Sequence, residues 1–206
     1  MNETSDIYDA VIVGGGPAGA SAAIHLAMNG ARVLLAEQKR FPREKLCGEF
    51  ISPECLEHFE RLGVMGRMRE AGGADLAETV FYSMGGKCVS VPSYWFGGSG
   101  ACALGLSRAE MDARLLARAR DAGAFVLEEA TASGLLMEGG RVRGVRFKQQ
   151  GSPLEFRSLI AIDATGRSRQ LARRAEREGR TGKSALVRRA PLVAFKAHLE
   201  NARGNL

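Results

Sequence analysis

No apolar run in this 206-residue chain approaches the roughly 18 residues that a membrane-spanning helix needs. The opening Met1-Asn-Glu-Thr-Ser-Asp6 is polar and acidic. It lacks the basic flank and apolar stretch of a secretory signal, so a cytoplasmic address is expected. Cysteine is scarce. Cys47, Cys55, Cys88 and Cys102 lie 8, 33 and 14 positions apart, with no C-x-x-C pair and no His at zinc-ligand spacing. Reduced thiols and no metal site are therefore expected. His25, His58 and His198 stand alone in apolar or helical contexts and read as packing or surface residues. Aromatics form 6% of the chain, and none falls in its most basic stretch, Arg167 to Arg189. Nucleic-acid recognition calls for basic residues interleaved with aromatics. Without them this run, with Glu176 and Glu178 among its Arg, reads as a solvated helix face. An anionic substrate tail or peripheral contact with a membrane surface stays compatible with it. No internal repeat or long low-complexity tract is present.

What the chain does have is a globular composition, 45% hydrophobic and 25% charged with a net charge of +6. Near the start, an apolar strand from Ala10 to Val13 runs into Gly14-x-Gly16-x-x-Gly19. An Ala-rich helix is expected to about Asn29, then a second strand, Ala31 to Ala36, ending at Glu37. Each part has a task. Gly14 permits the tight turn, Gly16 lets the backbone approach a pyrophosphate, and Gly19 lets the helix pack on the strand. Pro17 suits the first helical turn, where its missing N–H costs nothing. Phosphates are received by the free N–H groups and positive dipole end of that helix. Glu37, 18 positions after Gly19, can accept hydrogen bonds from an adenosine ribose. Together these predict a dinucleotide-binding βαβ unit, and the motif alone leaves FAD and NAD both open.

Further along, a loop rich in charge and turn residues covers Gln38 to Ile51. Ser52-Pro53 predicts a helix start, with Leu56, Phe59 and Leu62 on its apolar face and Gly63 at its end. Val64 to Ala71 predicts a second short helix. Thr79–Ser83, Lys87–Val91 and Ala101–Leu104 read as short strands of a second sheet inserted into the first domain. Ser107-Arg-Ala-Glu110 is a capping box opening a helix that carries Met111, Leu115 and Ala119 and runs to Gly123. Ala124–Leu127 predicts a strand. Leu135–Met137 and Val142–Phe147 flank Gly139-Gly140, a hairpin signal. Leu159–Asp163 reads as a short strand buried in a parallel sheet, leading into Ala164-Thr-Gly-Arg167. Leu192–Leu199 reads as a further strand seven residues before the last one, so the sequence is expected to stop inside a domain.

In that order, Gly14-Gly-Gly-Pro-Ala-Gly-Ala-Ser21, Glu37, Phe41-Pro-Arg-x-Lys-x-Cys-Gly-Glu49, Ser52-Pro53, Leu106-Ser-Arg108 with Asp112 and Leu115, and Asp163-Ala-Thr-Gly-Arg167 resemble FAD-dependent oxidoreductases of the geranylgeranyl reductase type. These are related to aromatic hydroxylases and flavin-dependent halogenases. The resemblance implies that Gly14, Gly16, Pro17, Ala18 and Gly19 bind the FAD pyrophosphate, and Glu37 with Gln38 the adenosine side. It places Arg43, Lys45, Cys47 and Gly48 along the cofactor near the flavin, Arg108 towards the phosphates, and Ala130 and Thr131 beside the adenine. Ser107 and Glu110 cap the Arg108 helix whatever stands at 108, so an Arg108 truncation is expected to leave folding little changed. Asp163 to Gly166 resembles a second dinucleotide motif. Aligned on Gly166, Thr165 holds the family's Asp position and Asp163 falls two residues earlier. Cys47 has two readings: a catalytic thiolate favoured by neighbouring cations, or a small thiol packed against the cofactor.

The resemblance implies an α/β fold, a Rossmann-like FAD-binding domain with an inserted, incomplete β-sheet substrate domain. Its segments are residues 1–77 (βαβ unit and flavin loop), 78–106 (start of the inserted sheet), 107–175 (return to the FAD-binding domain) and 176–206 (start of a second substrate-domain segment). The implied activity is FAD-dependent reduction or monooxygenation of a hydrophobic small molecule, such as an isoprenoid or polyketide-like compound, with NAD(P)H as electron donor. A halogenase-like enzyme and a non-catalytic FAD-binding fragment are the alternatives.

Overall fold

The structure is a computed structural model and describes residues 7–47, 49–97 and 101–178. The chain enters through β1 (Ile7–Val13), turns at the glycine motif into α1 (Pro17–Met28), and returns as β2 (Val33–Ala36). A short strand, β3 (Phe50–Ile51), precedes α2 (Pro53–Arg61) and α3 (Met65–Glu70). Next come β4 (Ala74–Leu76), the hairpin β5 (Glu78–Tyr82) and β6 (Cys88–Pro92), one turn of helix α4 (Tyr94–Gly97), and β7 (Ala103–Gly105). The long helix α5 (Arg108–Asp121) leads to β8 (Phe125–Leu127), β9 (Ala130–Glu138), β10 (Arg141–Gln149) and β11 (Ser152–Asp163). A 3-10 turn and α6 (Gln170–Glu178) close the described part.

Six strands form the main sheet in the order β8-β2-β1-β11-β10-β9. Its first four run parallel, and β9 and β10 are antiparallel additions at one side. β1 is buried on both faces, as a central parallel strand must be. Ala10 and Ile12 face one cluster, with Ala23 and Ile24 of α1 and Leu115 and Leu116 of α5. Val11 and Val13 face another, with Ala132 and Leu135 of β9, Phe147 of β10 and Leu171 of α6. The alternation of the strand thus supplies two cores, and the small residues of α1 let it lie close to both β1 and α5.

Several expectations change. The strand expected at Leu159–Asp163 is the end of the 12-residue β11. Its first part pairs antiparallel with β10 and its last part parallel with β1. It is not buried throughout. Leu159 and Ile160 are 59% and 60% exposed, and within the expected segment only Ala161 and Ile162, each half-buried, reach the two clusters. The three strands assigned to one inserted sheet belong to two. β5 and β6 pair only with each other among the described residues, whereas β7 lies between β3 and β4. The division follows burial: Ala103 and Leu104 of β7 are buried, whereas Phe81, Tyr82 and Val89 of the hairpin are exposed. Ser52 precedes α2 without making a capping hydrogen bond, its hydroxyl resting on Cys55 instead. Ser107 does cap α5, accepting the Glu110 N–H at 3.2 Å. The Glu110 carboxylate pairs with Arg114. The Leu192–Leu199 strand and the Arg run beyond Glu178 lie outside the described residues.

Candidate functional site

The C-terminal ends of β1, β2 and β11 open onto a cleft of about 510 Å³. It lies where the topology switches sides, β2 being on one flank of β1 and β11 on the other, the usual crevice for a ligand in such a sheet. Three glycines shape the turn at its floor for different reasons. A Cβ on Gly19 would stand 1.9 Å from the Gly14 carbonyl oxygen, and one on Gly14 would stand 2.4 Å from the Ala164 carbonyl oxygen. These two glycines serve the packing of turn, helix and strand. A Cβ on Gly16 would meet nothing closer than Arg43 Nη2 at 3.6 Å. Among the described residues nothing in the packing calls for glycine there, and the open space is on the cleft side. Gly16 is also the N-cap of α1 and makes no side-chain cap, with Pro17 at the first position. The helix end therefore faces the cleft uncapped, a site suited to phosphate.

Glu37 follows β2 and is nearly buried. Its Oε2 accepts the Gly15 N–H at 2.9 Å and its Oε1 accepts the Lys39 N–H at 3.0 Å. A carboxylate has about four acceptor sites, so capacity remains for ribose hydroxyls. Arg43 comes from the loop after β2 and bridges two carboxylates, with Nη2 3.6 Å from Glu37 and Nη1 3.3 Å from Asp112. Its guanidinium stacks over Phe41 at 4.7 Å. Although Nη1 is within ion-pair range of Asp112, it is off the hydrogen-bond direction, and neither it nor Nε donates to a partner among the described residues. The Arg43 atom nearest the uncapped helix end is Nη2, 3.6 Å from where a Gly16 Cβ would stand, and a guanidinium so placed suits a diphosphate.

Arg108, the first residue of α5, gives Asp112 two hydrogen bonds of 2.9 Å. Those bonds raise the guanidinium's affinity for its proton above the ordinary range. Burial opposes the shift, and a contact with the Cys47 side chain adds to it. Cys47 is half-buried and engaged by Arg108, outside the residues that line the cleft. Gly14, Gly16, Pro17, Ala18, Glu37, Gln38, Arg43, Lys45, Arg108, Ala130 and Gly166 all line it. Gly19 lies beneath the turn. Thr131 is exposed on the face of β9 opposite Ala130 and Ala132, and it is Ala132 that lines the cleft. Period-two alternation from Ala130 would have selected Ala132. Gly48 is outside the described residues.

Asp163 is likewise absent from the cleft wall. Its Oδ1 accepts the Thr165 N–H at 3.0 Å and hydroxyl at 2.6 Å, and its Oδ2 accepts the Ala172 N–H at 2.9 Å, tying the turn to the start of α6. Burial pushes its pKa up, but these bonds and one from the Leu171 N–H outweigh it and hold the carboxyl below the usual range. Thr165 lines the cleft in its place, with Lys39, Glu44 and Arg167. Asp112 is a further residue of the site, and its place four residues after Arg108, the spacing of a helical ion pair, is the signal in the sequence that points to it. Among the described residues no group of three or more His, Cys, Asp or Glu is placed to hold a metal ion.

The family model described as FAD binding domain matches residues 7–201. Digeranylgeranylglycerophospholipid reductase of Methanoculleus marisnigri is 33% identical over 169 residues, covering 82% of this chain and 41% of that protein. Menaquinone reductase of Mycobacterium tuberculosis is 31% identical over 179 residues, covering 84% and 42%. The myxobacterial chondrochloren halogenase, a variant of FAD-dependent halogenases, superposes with a TM-score of 0.75 at 28% identity, covering 82% and 39%. The chain thus spans about two fifths of the length of these curated relatives. With this match over nearly its whole length, and a glycine turn, a buried acid after β2 and two arginines around one cleft, the chain belongs to the FAD binding domain family.

Proposed function

We propose that the protein is an FAD-dependent oxidoreductase, a reductase or monooxygenase, acting on a hydrophobic small molecule such as an isoprenoid or polyketide-like compound. The observation that carries this reading is the cleft at the end of β1, where the uncapped α1 end at Gly16 converges with Glu37, Arg43 and Arg108, a set suited to an adenosine diphosphate. When bound, FAD supplies two-electron redox chemistry. The chain's own part is to hold it. The α1 end and the two arginines take the diphosphate, Glu37 and Gln38 the ribose, and Ala130 and Ala132 the flat wall beside the adenine. Lys45 and Cys47 continue along the loop towards the flavin, and Cys47 is the thiol offered for chemistry there.

A second recess of about 480 Å³ lies between the β3-β7-β4 sheet and β5, walled by Phe50, Leu76, Val80 and Leu106 with Glu49 and Glu78 at its polar side. Its apolar wall supports a hydrophobic substrate and the assignment of residues 78–106 to a substrate-side segment. NAD(P)H is the proposed electron donor and the cytoplasm the proposed location. Among the described residues no helix is long and apolar enough to cross a membrane. Peripheral contact would let a lipid-like substrate reach the site, and the exposed Phe81, Tyr82, Met84 and Val89 of the β5–β6 hairpin support it. The two reductases favour C=C reduction. A halogenase-like activity is the second reading, favoured by the likeness to the chondrochloren halogenase.

The test is to load the full-length protein with FAD and supply NAD(P)H with prenylated lipids or quinones. Mass spectrometry then reads hydrogen addition, oxygen addition or, with halide and oxygen, halogen addition. Hydrogen added to a double bond supports the reductase reading. Halogenated product alone favours the second, and no donor oxidation with any substrate class contradicts both.

A further inference from the structure

Asp112 is a charge in an unusual place. It sits on the apolar face of α5 beside Met111, Leu115 and Leu116, with none of its surface exposed. A buried carboxylate is expensive, and a buried ion pair is often no better for stability than apolar residues of the same volume. What it holds accounts for a charge at this place. Both oxygens accept from Arg108 at 2.9 Å, and Oδ2 lies 3.3 Å from Nη1 of Arg43, a residue brought from the loop after β2. The far end of Arg43 reaches over the turn to within 3.6 Å of where a Gly16 Cβ would stand. Arg43 Nε and Nη1 are buried with no hydrogen-bond partner among the described residues.

We infer that Asp112 is a positioning residue, the buried anchor that fixes Arg43 and Arg108 on the wall facing the α1 turn so that both guanidiniums meet a bound diphosphate. This rests on the dinucleotide-cofactor reading of the cleft. The charges sharpen the inference. Glu37 and Asp112 balance Arg43 and Arg108, so the cluster is neutral and its pull on a diphosphate comes from the direction of its donors. Neutralising Asp112 leaves the cluster with one net positive charge. On charge alone that variant binds an anion more tightly, whereas on positioning it binds the anion more weakly. The two accounts predict opposite signs.

The experiment is calorimetric titration of the full chain, wild type, Asp112→Asn and Asp112→Glu, with ADP and with adenosine, alongside ligand-free thermal melts. The expected result is that Asp112→Asn weakens ADP binding by about ten- to a hundredfold, the range known for outer-shell partners that orient metal ligands. Adenosine binding stays unchanged, and Asp112→Glu recovers part of the ADP affinity. Unchanged or tighter ADP binding by Asp112→Asn overturns the inference, as does an equal loss for ADP and adenosine. If Asp112→Asn does not fold, Asp112→Glu carries the same ADP-against-adenosine comparison. If neither folds, Asp112 serves the fold and the inference is overturned. Wild-type protein that binds neither ADP nor FAD overturns the cofactor reading as well, whereas wild type and variants binding ADP equally overturns this inference alone.

Discussion

Arg108 and Asp112, one turn apart on α5, meet at two points, Nε on Oδ1 and Nη2 on Oδ2, each at 2.9 Å. Because Asp112 is wholly buried, this pair belongs to the fold as much as to the cleft. The sequence-based expectation that Arg108 could be lost without disturbing folding is therefore revised. Ser107 still caps the helix, but the carboxylate would be left with Arg43 alone, 3.3 Å away.

Arg108→Ala is accordingly expected to weaken FAD binding by about 1.5–3 kcal/mol, the worth of a hydrogen bond to a charged group. It is also expected to lower ligand-free stability by about 1–3 kcal/mol, because a buried acceptor loses two donors. Fluorescence titration with FAD and urea denaturation measure the two separately. An unchanged dissociation constant would make Arg108 a structural cation only.

The parts of this site legible in the sequence are those encoded by local backbone rules. Gly14-x-Gly16-x-x-Gly19, Pro17 and the terminal acid Glu37 each answer to a turn, a helix start or a strand end, and β1, α1 and β2 form where those rules put them. What the sequence hid depends on distant segments meeting. Arg43 reaches Asp112 across 69 positions of sequence, and no periodicity announces that pair. Ala132 is legible in principle from strand alternation, but β9 begins five residues before the strand expected at Leu135, so the alternation has no visible starting point there. Asp163 ties the turn to α6 rather than lining the cleft, and the short motif gives no sign that α6 starts close enough to take its Oδ2.

The glycine turn gives a paired prediction. Gly16→Val should leave folding largely intact, since a Cβ there meets nothing within 3.6 Å and the backbone is extended at φ −73°. It should abolish flavin binding by filling the diphosphate's place. Gly19→Ala should destabilise the chain by about 1–3 kcal/mol or more through overpacking, because its Cβ falls 1.9 Å from a backbone oxygen. Circular dichroism melts and flavin content distinguish them. A Gly16→Val protein that still holds flavin contradicts the placement of the diphosphate.

Asp163 sets an acid limit. Its folded pKa is depressed, so its contribution to stability is fully present above the unfolded carboxyl value of about 3.9 and is lost as pH falls through the lower folded value. The stability gap between wild type and Asp163→Asn should be constant from about pH 6 to pH 5 and close progressively below about pH 4. Urea midpoints across that range test it. A gap that does not change with pH would show that the Asp163 bonds do not depend on its charge.

Cys47 separates binding from chemistry. Cys47→Ser preserves size and should keep FAD affinity near wild type, while turnover falls by about a hundredfold or more if the thiol transfers a proton or acts as a thiolate. Stopped-flow reduction of the bound flavin and product formation are the readouts. Full turnover in the variant would make Cys47 a packing residue against Arg108.

The central claim is that this cleft grips the adenosine diphosphate half of FAD. Its most direct test is equilibrium titration of flavin-free full-length protein with FAD and with FMN, followed by displacement with ADP. The account predicts that FAD binds with one molecule per chain, that ADP displaces it competitively, and that FMN, which lacks the adenosine half, does not bind. FMN binding as tightly as FAD, or FAD that ADP cannot displace, would contradict it.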